Sequence, residues 1–368
     1  MRTHPEKQFP SNGYLIVLAL TLLAGCAQPL LEFSTDTPAT VLAIHSSTNV
    51  RDERASFRKC FCNALKRDGA YTDKECVGLL HRLPDEPPQA TAASPIPLEG
   101  KLELLIVPGI FGECIQDHVT VFGDAIPHMA RFGYHSSTVN VRGRASSEHN
   151  AKIIRDHIID EIRVTPKKRF LLLAYSKGTP DALVALGKYP ELHKHVAALI
   201  SFAGVVNGTP LADSLEDWYE HTVGKLPYAK CPKIDQDEVR SLTRAERMNW
   251  LSTHTLPKTV AYFSVVALPS PDRVSEILRP MHGRLSSVDP RNDSQVIYYD
   301  AVIPGSTLLG YANADHWAIA LPFESQAPAL AATFVNRNHF PRAQLVEAAV
   351  SVAEEQLRKR DIELRSRD

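Results

Sequence analysis

The sequence lacks an excess of charge of either sign. Its 368 residues include 41 Lys and Arg against 42 Asp and Glu, which gives a formal net charge of −1. Proteins that bind nucleic acid through its phosphates carry clustered basic residues, and no basic stripe runs along this chain. Nucleic acid is therefore excluded as an expected partner. The apolar fraction of 44% and the charged fraction of 23% are typical of a globular protein.

Glycine is scarce relative to proline, with 18 glycines against 26 prolines. This balance indicates many loops and element boundaries rather than disorder. The stretch "SKGT" at 176–179 has no G-x-x-x-x-G upstream, so it does not predict a phosphate-binding loop. The sequence also shows no internal repeat, which excludes the repeat architectures.

The apolar run at 14–25 is too short to span a bilayer comfortably, and it ends in "LAGC" at 23–26. This ending resembles the lipobox of a bacterial lipoprotein signal peptide, in which a cysteine receives diacylglycerol. The resemblance implies cleavage of residues 1–25 and lipidation of Cys26. Because Ala27 rather than aspartate follows, it also implies the outer membrane of a bacterial cell envelope. An ordinary secretory peptide that leaves a plain cysteine is the alternative.

Cysteine is infrequent, with six in the chain, of which five follow the lipobox. Outside the cytosol these cysteines are expected to pair. A disulfide from Cys76 to Cys60 or Cys62 is favoured over a metal site, because neither a histidine nor a fourth cysteine lies at zinc-finger spacing. The odd number leaves one thiol unpaired or intermolecular. We expect a structural or disulfide role for Cys114, and Cys231 stays unassigned.

The region before residue 101 differs in character from the rest. Residues 27–50 have the composition of a tether, and residues 51–83 show helical spacing around the clustered cysteines. Residues 84–100 are a proline-rich linker. We therefore treat residues 26–100 as a tether, a small helical element and a linker.

From residue 101 the pattern changes to buried strands alternating with amphipathic helices. Strand-like runs lie at 102–107, 169–175, 197–203 and 260–267, and helical spacing is clear at 151–162 and 342–361. Strands separated by such helices predict an α/β fold with a mostly parallel sheet flanked by helices.

One strand run ends in "AYSKG" at 174–178. Small residues on both sides of Ser176 allow a strand and a helix to approach closely while the serine side chain points outward. The pattern resembles the nucleophile elbow, G-x-S-x-G, of the α/β-hydrolase superfamily, except that Ala174 stands where the family has its first glycine. The resemblance implies that Ser176 is a catalytic nucleophile. We expect the side chain of Lys177 to face solvent or substrate.

The resemblance to bacterial lipases and esterases extends to two downstream segments in the order Ser, Asp, His. His316 lies in "GYANADHWAIALP" after a strand-like run, which resembles the histidine loop of lipases. The segment 289–306 resembles the lipase acid segment and implies Asp293 as the acid, with Ser294 where the family usually has glycine. Asp315 is expected to shape the histidine loop. Three competitors for the acid stay open, namely Asp272, Asp289 and Asp300.

Upstream, "LLIVPGIFGEC" at 104–114 resembles the oxyanion loop of lipases, with Pro108 in place of histidine. The resemblance implies that the backbone N–H groups of Ile110 and Lys177 stabilise the oxyanion. A helical cap insertion is expected at about 211–256, where it is long enough to cover an apolar acyl pocket.

These resemblances imply an α/β-hydrolase domain over 101–368, acting as a membrane-tethered serine hydrolase on carboxylic esters. Thioester or amide cleavage at the same site is an alternative. A non-catalytic envelope lipoprotein that uses the fold for binding or scaffolding is a second one. We expect no cofactor and no metal, an ester substrate, and a membrane contact through the N-terminal lipid. The oligomeric state is left open.

Overall fold

The computed structural model describes residues 29–36, 49–69, 71–87, 102–110, 118–214, 234–235 and 237–365. The predictions on residues 1–25, on Cys26 and on the cysteines at 114 and 231 lie outside these ranges. So does the part of the predicted cap at 215–233. Within the described ranges, no helix is both long and apolar enough to cross a membrane.

The described strands form one sheet of eight strands, seven of which run parallel in the order β1-β8-β7-β6-β5-β3-β4. The short β2 pairs with β8 in the antiparallel direction. The predicted mostly parallel sheet is therefore confirmed. Its strands are β1 (Arg51–Asp52), β2 (Leu80–His81), β3 (Glu103–Val107), β4 (Ser136–Thr138), β5 (Phe170–Tyr175), β6 (Val196–Phe202), β7 (Ala261–Ala267) and β8 (Thr307–Ala312).

Helices connect and cover these strands, as crossover connections between parallel strands require. In chain order they are α1 (Arg54–Arg67), α2 (Asp73–Leu79), α3 (Ala125–Ala130), α4 (Ser147–Val164), α5 (Gly178–Lys188), α6 (Pro210–Ser214), α7 (Arg244–Thr253), α8 (Arg279–Ser286), α9 (Phe323–Gln326), α10 (Pro328–Thr333) and α11 (Arg342–Arg365).

The central strands are buried along their whole length because helices cover both faces of the sheet. On one face, Ile154 and Ile158 of α4 pack with Leu183 of α5 in one apolar cluster. On the other face, Phe61 of α1 and Leu345 of α11 belong to a second cluster. This explains why β5, β6 and β7 are mostly apolar rather than alternating, with a single buried serine in each of β6 and β7.

The segment before residue 101, expected to be only a small helical element, also contributes two short strands to the sheet. Both β1 and β2 pair with β8, on the edge of β8 that β7 leaves free. A disulfide joins Cys62 of α1 to Cys76 of α2, and Cys60 is a free, partly buried thiol. The ring of Phe57 lies over Gly310, where a Cβ atom would come within 3.1 Å of it. A side chain at this position would therefore require the ring of Phe57 to shift by a few tenths of an ångström.

Part of the predicted cap is described, and its residues lie in two places. Leu211 and Leu242 belong to an apolar cluster against which Ile110 of the predicted oxyanion loop packs. Trp250 of α7 is buried in the cluster that contains α4 and α5. A Cβ atom on Gly187, in the last turn of α5, would come within 3.0 Å of its ring. Since Ser176 precedes the first turn of that helix, Trp250 lies at the opposite end of α5 from the serine.

Candidate active site

The turn between β5 and α5 places Ser176 in a backbone conformation that L-residues rarely adopt, with φ of 53°. The turn is tight because glycines stand at the two positions, 109 and 178, where the backbone packs most closely around it. A Cβ atom on Gly178 would lie 2.2 Å from the carbonyl oxygen of Val107, and one on Gly109 would lie 2.8 Å from the Cβ of Ser176. Glycine at position 178, two residues after the serine, is therefore required by the close packing of α5 on the end of β3.

Hydrogen bonds hold this strained turn in place. The N–H of Ser176 donates to the carbonyl of Phe202 at 3.1 Å. The serine carbonyl accepts from the N–H groups of Thr179 and Val205, at 3.1 and 3.3 Å. A strained residue persists only where its surroundings fix it, as the end of β6 does here.

The structure brings Ser176, His316 and Asp293 together in one line of hydrogen bonds. Nε2 of His316 lies 2.8 Å from Oγ of Ser176, and Nδ1 lies 2.7 Å from Oδ2 of Asp293. A carboxylate only accepts, so Nδ1 carries the proton and donates it, which leaves Nε2 free to accept from the serine hydroxyl. All three side chains are buried.

The turn that follows Asp293 fixes the direction of its carboxylate. Oδ1 accepts from the backbone N–H groups of Gln295 and Val296, at 2.9 and 2.7 Å, while Oδ2 faces the imidazole. Ser294 has a φ of 85°, a conformation that suits glycine. This explains why lipases usually have glycine at the position, and the serine adopts the same backbone geometry here.

The competing aspartates are placed away from the histidine. Asp272 is exposed in a single-turn helix. Asp289 forms an ion pair with Arg291 at 2.9 Å, and Asp300 forms one with Arg244 at 3.1 Å. Of the four candidates for the acid, Asp293 alone contacts the imidazole of the predicted base.

The two amides expected to serve an oxyanion lie beside Ser176. Lys177 follows the serine directly, and Ile110 follows Gly109, which packs against the serine side chain. Within the described ranges, neither amide N–H donates to another protein group. Among the described residues, nothing occupies either donor, which is the condition that an oxyanion site requires. The rest of the predicted loop, at 111–114, lies outside the described residues.

The expectation that the side chain of Lys177 faces solvent or substrate is wrong. It is 1% exposed, and its Nζ lies 2.8 and 2.9 Å from the two carboxylate oxygens of Asp181, one turn further along α5. Asn150 of α4 donates to the same carboxylate at 2.7 Å. The lysine stem lies along its own helix, because that path gives the ammonium a partner four residues away.

Two residues that the sequence did not single out hold the loop that carries His316. The hydroxyl of Tyr175 donates to the carbonyl of His316 at 2.8 Å. Asn313 donates from its N–H and its side chain to the carbonyls of Leu79 and Gly78, each at 2.9 Å. No local pattern signals either contact, since both partners are distant in sequence.

The expectation for Asp315 agrees with its contacts. Its carboxylate accepts from the N–H groups of Trp317 and Ala318, at 3.0 and 2.8 Å, and from that of Ser275 at 2.9 Å. Burial raises the pKa of this carboxyl group. Asp315 therefore shapes the turn on which the histidine lies and joins it to the loop after β7.

One cluster in the described part of the chain has side chains suited to a metal, namely Asp68, His128 and Glu347, whose ligand atoms lie within 4.8 Å of one another. Arg67 forms two hydrogen bonds of 2.6 Å with Glu347, and Arg131 lies 3.6 Å from Asp68. The carboxylates are already paired with cations. The cluster is therefore an ion-pair network between α1, α3 and α11.

Solved structures similar to this chain include an esterase and a lipase. A metagenomic carboxyl esterase of known structure has 34% sequence identity and a TM-score of 0.78, over 88% of this chain and 97% of that one. The chain belongs to the α/β-hydrolase family of esterases and lipases. The predicted fold class and the predicted class of enzyme are thereby confirmed for this α/β hydrolase.

More distant structures share the fold. A lipase of Bacillus licheniformis in its propeptide form has 19% identity and a TM-score of 0.50, over 60% of this chain and 48% of that one. At this identity the similarity bears on the fold alone. Neither a protein-family model nor a curated protein matches the sequence.

Proposed function

We propose that this α/β hydrolase cleaves carboxylic esters through an acyl-enzyme formed on Ser176. The observation that carries the proposal is the unbroken line of hydrogen bonds from Ser176 through His316 to Asp293. The similarity to a carboxyl esterase along nearly the whole of that protein supports the choice of ester as substrate. In this proposal each of the three residues has the role that its contacts suit.

In the first half of the proposed reaction, Oγ of Ser176 attacks the ester carbonyl carbon and its proton passes to Nε2 of His316. The carbonyl oxygen becomes an oxyanion, which the N–H groups of Ile110 and Lys177 stabilise. The imidazolium is stabilised by Asp293 and gives its proton to the departing alcohol. The carbon–oxygen bond to the alcohol breaks, and the acyl group stays on the serine.

In the second half, water takes the place of the alcohol. His316 accepts a proton from the water as its oxygen attacks the acyl carbon, and the same two amides stabilise the second oxyanion. The imidazolium then returns the proton to Oγ of Ser176 as the carbon–oxygen bond to the serine breaks. The acid leaves, and the resting arrangement of the three residues is restored.

A fluorophosphonate probe and short-chain p-nitrophenyl esters test this proposal. Wild-type protein is expected to be labelled and to turn over the esters, while Ser176→Ala removes labelling and lowers kcat on the order of 10⁶-fold. A matched control is Ser264→Ala, which removes a buried hydroxyl of β7 that lies 3.0 Å from Ser306. Wild-type protein that neither reacts with the probe nor turns over any ester would favour the non-catalytic lipoprotein. Faster turnover of thioesters or anilides would change the substrate class.

We also propose that a lipid on Cys26 tethers the enzyme to the bacterial cell envelope, at the outer membrane. The support comes from the apolar run at 14–25 and its ending in "LAGC". After cleavage the lipidated cysteine would begin the mature chain. The predicted tether at 27–50 is shorter than expected, because Phe33 already packs against the folded domain, with its ring 5.6 Å from that of His81. Residues 27–32 would then separate the enzyme from the membrane surface.

A further inference from the structure

Tyr175 joins the nucleophile turn to the histidine loop. It is the last residue of β5, directly before Ser176, and its side chain points away from α5 because successive side chains of a strand alternate between faces. There its hydroxyl donates to the carbonyl of His316 at 2.8 Å. The phenol ring and the imidazole lie 5.3 Å apart between centroids. A single side chain thus spans from the serine to the histidine.

We propose that Tyr175 is a positioning residue, whose hydroxyl sets the distance between Nε2 of His316 and Oγ of Ser176. The proposal rests on the proposed function of these two residues. Tyr175 does not touch the reacting atoms through its hydroxyl. It acts on the backbone of the histidine instead.

The backbone of His316 is held at both of its polar groups. Its N–H donates to the carbonyl of Asp293 at 3.0 Å, and its carbonyl accepts from Tyr175. The first bond couples the histidine to the acid, and the second couples it to the nucleophile turn. Without the second bond, the histidine loop would stay in register with Asp293 but would lose its direct link to the strand that carries Ser176.

The hydroxyl is a dependable donor. Tyr175 is 4% exposed, and burial together with the negative charges of Asp293 and Asp315 raises its pKa well above the usual range. The phenol therefore stays protonated at neutral pH and can donate its hydrogen. A shift of Nε2 by a fraction of an ångström lowers the rate of proton transfer without changing how the ester is bound, since proton transfer needs hydrogen-bond distance.

The test is Tyr175→Phe, which deletes one oxygen atom and keeps the ring. We expect kcat to fall roughly tenfold with KM within twofold of wild type, because substrate contacts are unchanged. The rate of phosphonylation by the fluorophosphonate should fall in the same proportion. The downfield proton resonance of Nδ1–H in His316 should shift or broaden.

The matched control is Tyr262→Phe. Tyr262 is a buried tyrosine of β7 whose hydroxyl also donates to a backbone carbonyl, that of Pro257 at 3.4 Å, at the far end of the strand. A role limited to stability would lower Tm in both variants and leave kcat, the phosphonylation rate and the resonance alike in both. That result, or a wild-type kcat in Tyr175→Phe, would overturn the proposal.

Two further measurements separate this proposal from the function on which it rests. Replacing Tyr175 by 4-aminophenylalanine keeps an N–H donor at the para position and should retain a kcat within twofold of wild type. A tenfold loss of kcat in this variant would also overturn the proposal. This measurement remains decisive even if Tyr175→Phe fails to fold. In the Asp293→Asn background, Tyr175→Phe should cost less than its tenfold effect in wild type, because the two act through one imidazole. Absence of phosphonylation in wild-type protein, by contrast, would reject the proposed function itself.

Discussion

At the scale of single residues, one carboxylate oxygen of Asp293 determines which ring nitrogen of His316 carries the proton. Its Oδ2 holds the Nδ1–H form of His316, which leaves Nε2 able to accept the serine proton. In Asp293→Asn an amide N–H can face Nδ1, and the imidazole then adopts the opposite tautomer. We expect kcat on p-nitrophenyl esters to fall on the order of 10⁴-fold, with thermal unfolding close to that of wild type.

The control for this prediction is Asp272→Asn, which changes the exposed competitor and should leave kcat unaltered. If Asp293→Asn kept full activity and the loss appeared on changing Asp289 or Asp300 instead, the role of the acid would have to be reassigned.

A second prediction at this scale concerns Asp300 and pH. Burial outweighs the attraction of Arg244 and raises the pKa of Asp300 to about 7. The unfolded chain has a pKa near the usual value, so the native state binds the proton more tightly. The contribution of this carboxyl group to the free energy of unfolding is therefore fully present below about pH 4. It decreases by roughly 1.4 kcal/mol for each pH unit as pH rises towards 7.

Asp300→Asn imitates the protonated carboxyl and tests this sign. Its free energy of unfolding in urea, relative to wild type, should increase between pH 4.5 and 7 and become constant above that range. A relative stability that is independent of pH, or that decreases as pH rises, would show that the native state does not hold the proton.

The residues of the candidate site differ in how far sequence could predict them. Ser176 lies in a local pattern, and His316 and Asp293 follow it in a known chain order, so the three could be named and the structure places them in contact. Tyr175 and Lys177 could not be understood in this way. Their partners depend on which face of β5 or α5 the side chain takes, and the partner of Tyr175 lies 141 residues away.

At the scale of elements, the N-terminal pair of helices was expected as a separate element and instead supports the site. The carbonyls of Gly78 and Leu79, at the end of α2, accept from Asn313 at the start of the histidine loop. Strands β1 and β2 have two residues each, which is too short for alternation or an apolar run to show in the sequence. The long strands and α4 had such patterns and could be predicted.

The disulfide between α1 and α2 gives a prediction at this scale. The double variant Cys62→Ser/Cys76→Ser opens a loop with a sequence separation of 14 residues. We expect it to lower the free energy of unfolding by about 3 kcal/mol, since the cross-link restricts the unfolded chain. Because α2 anchors Asn313, ester turnover should fall as well.

Urea unfolding and p-nitrophenyl ester kinetics measure the two effects. Cys60→Ser is the control, because Cys60 lies on the same helix and forms no disulfide. Equal stability of the double variant and of Cys60→Ser would mean that the cross-link is not formed in the folded protein.

At the scale of the whole molecule, the proposed lipid tether predicts where the enzyme is found. Cys26→Ser removes the thiol that would receive diacylglycerol, so the variant should incorporate no radiolabelled palmitate and should be either soluble or unprocessed, with residues 1–25 still attached. Wild-type protein should incorporate the label and be extracted by detergent. Equal incorporation of the label in both proteins would contradict lipidation at Cys26. Activity on a soluble ester is the control and should be the same in both, because the candidate site lies in the folded domain.

The pairing of β1 and β2 with β8 has a consequence for the order in which the chain folds. Arg51 pairs with Thr307 and Leu80 with Ala312, so strands near one end of the polypeptide close an edge formed near the other. Contacts between distant parts of a chain form late, since the intervening loop must first be closed. While the chain emerges from a ribosome or a translocon, the N-terminal strands have no partner until β8 arrives. Completion of this edge, and with it the anchoring of the histidine loop, is therefore a late step that follows synthesis of most of the chain.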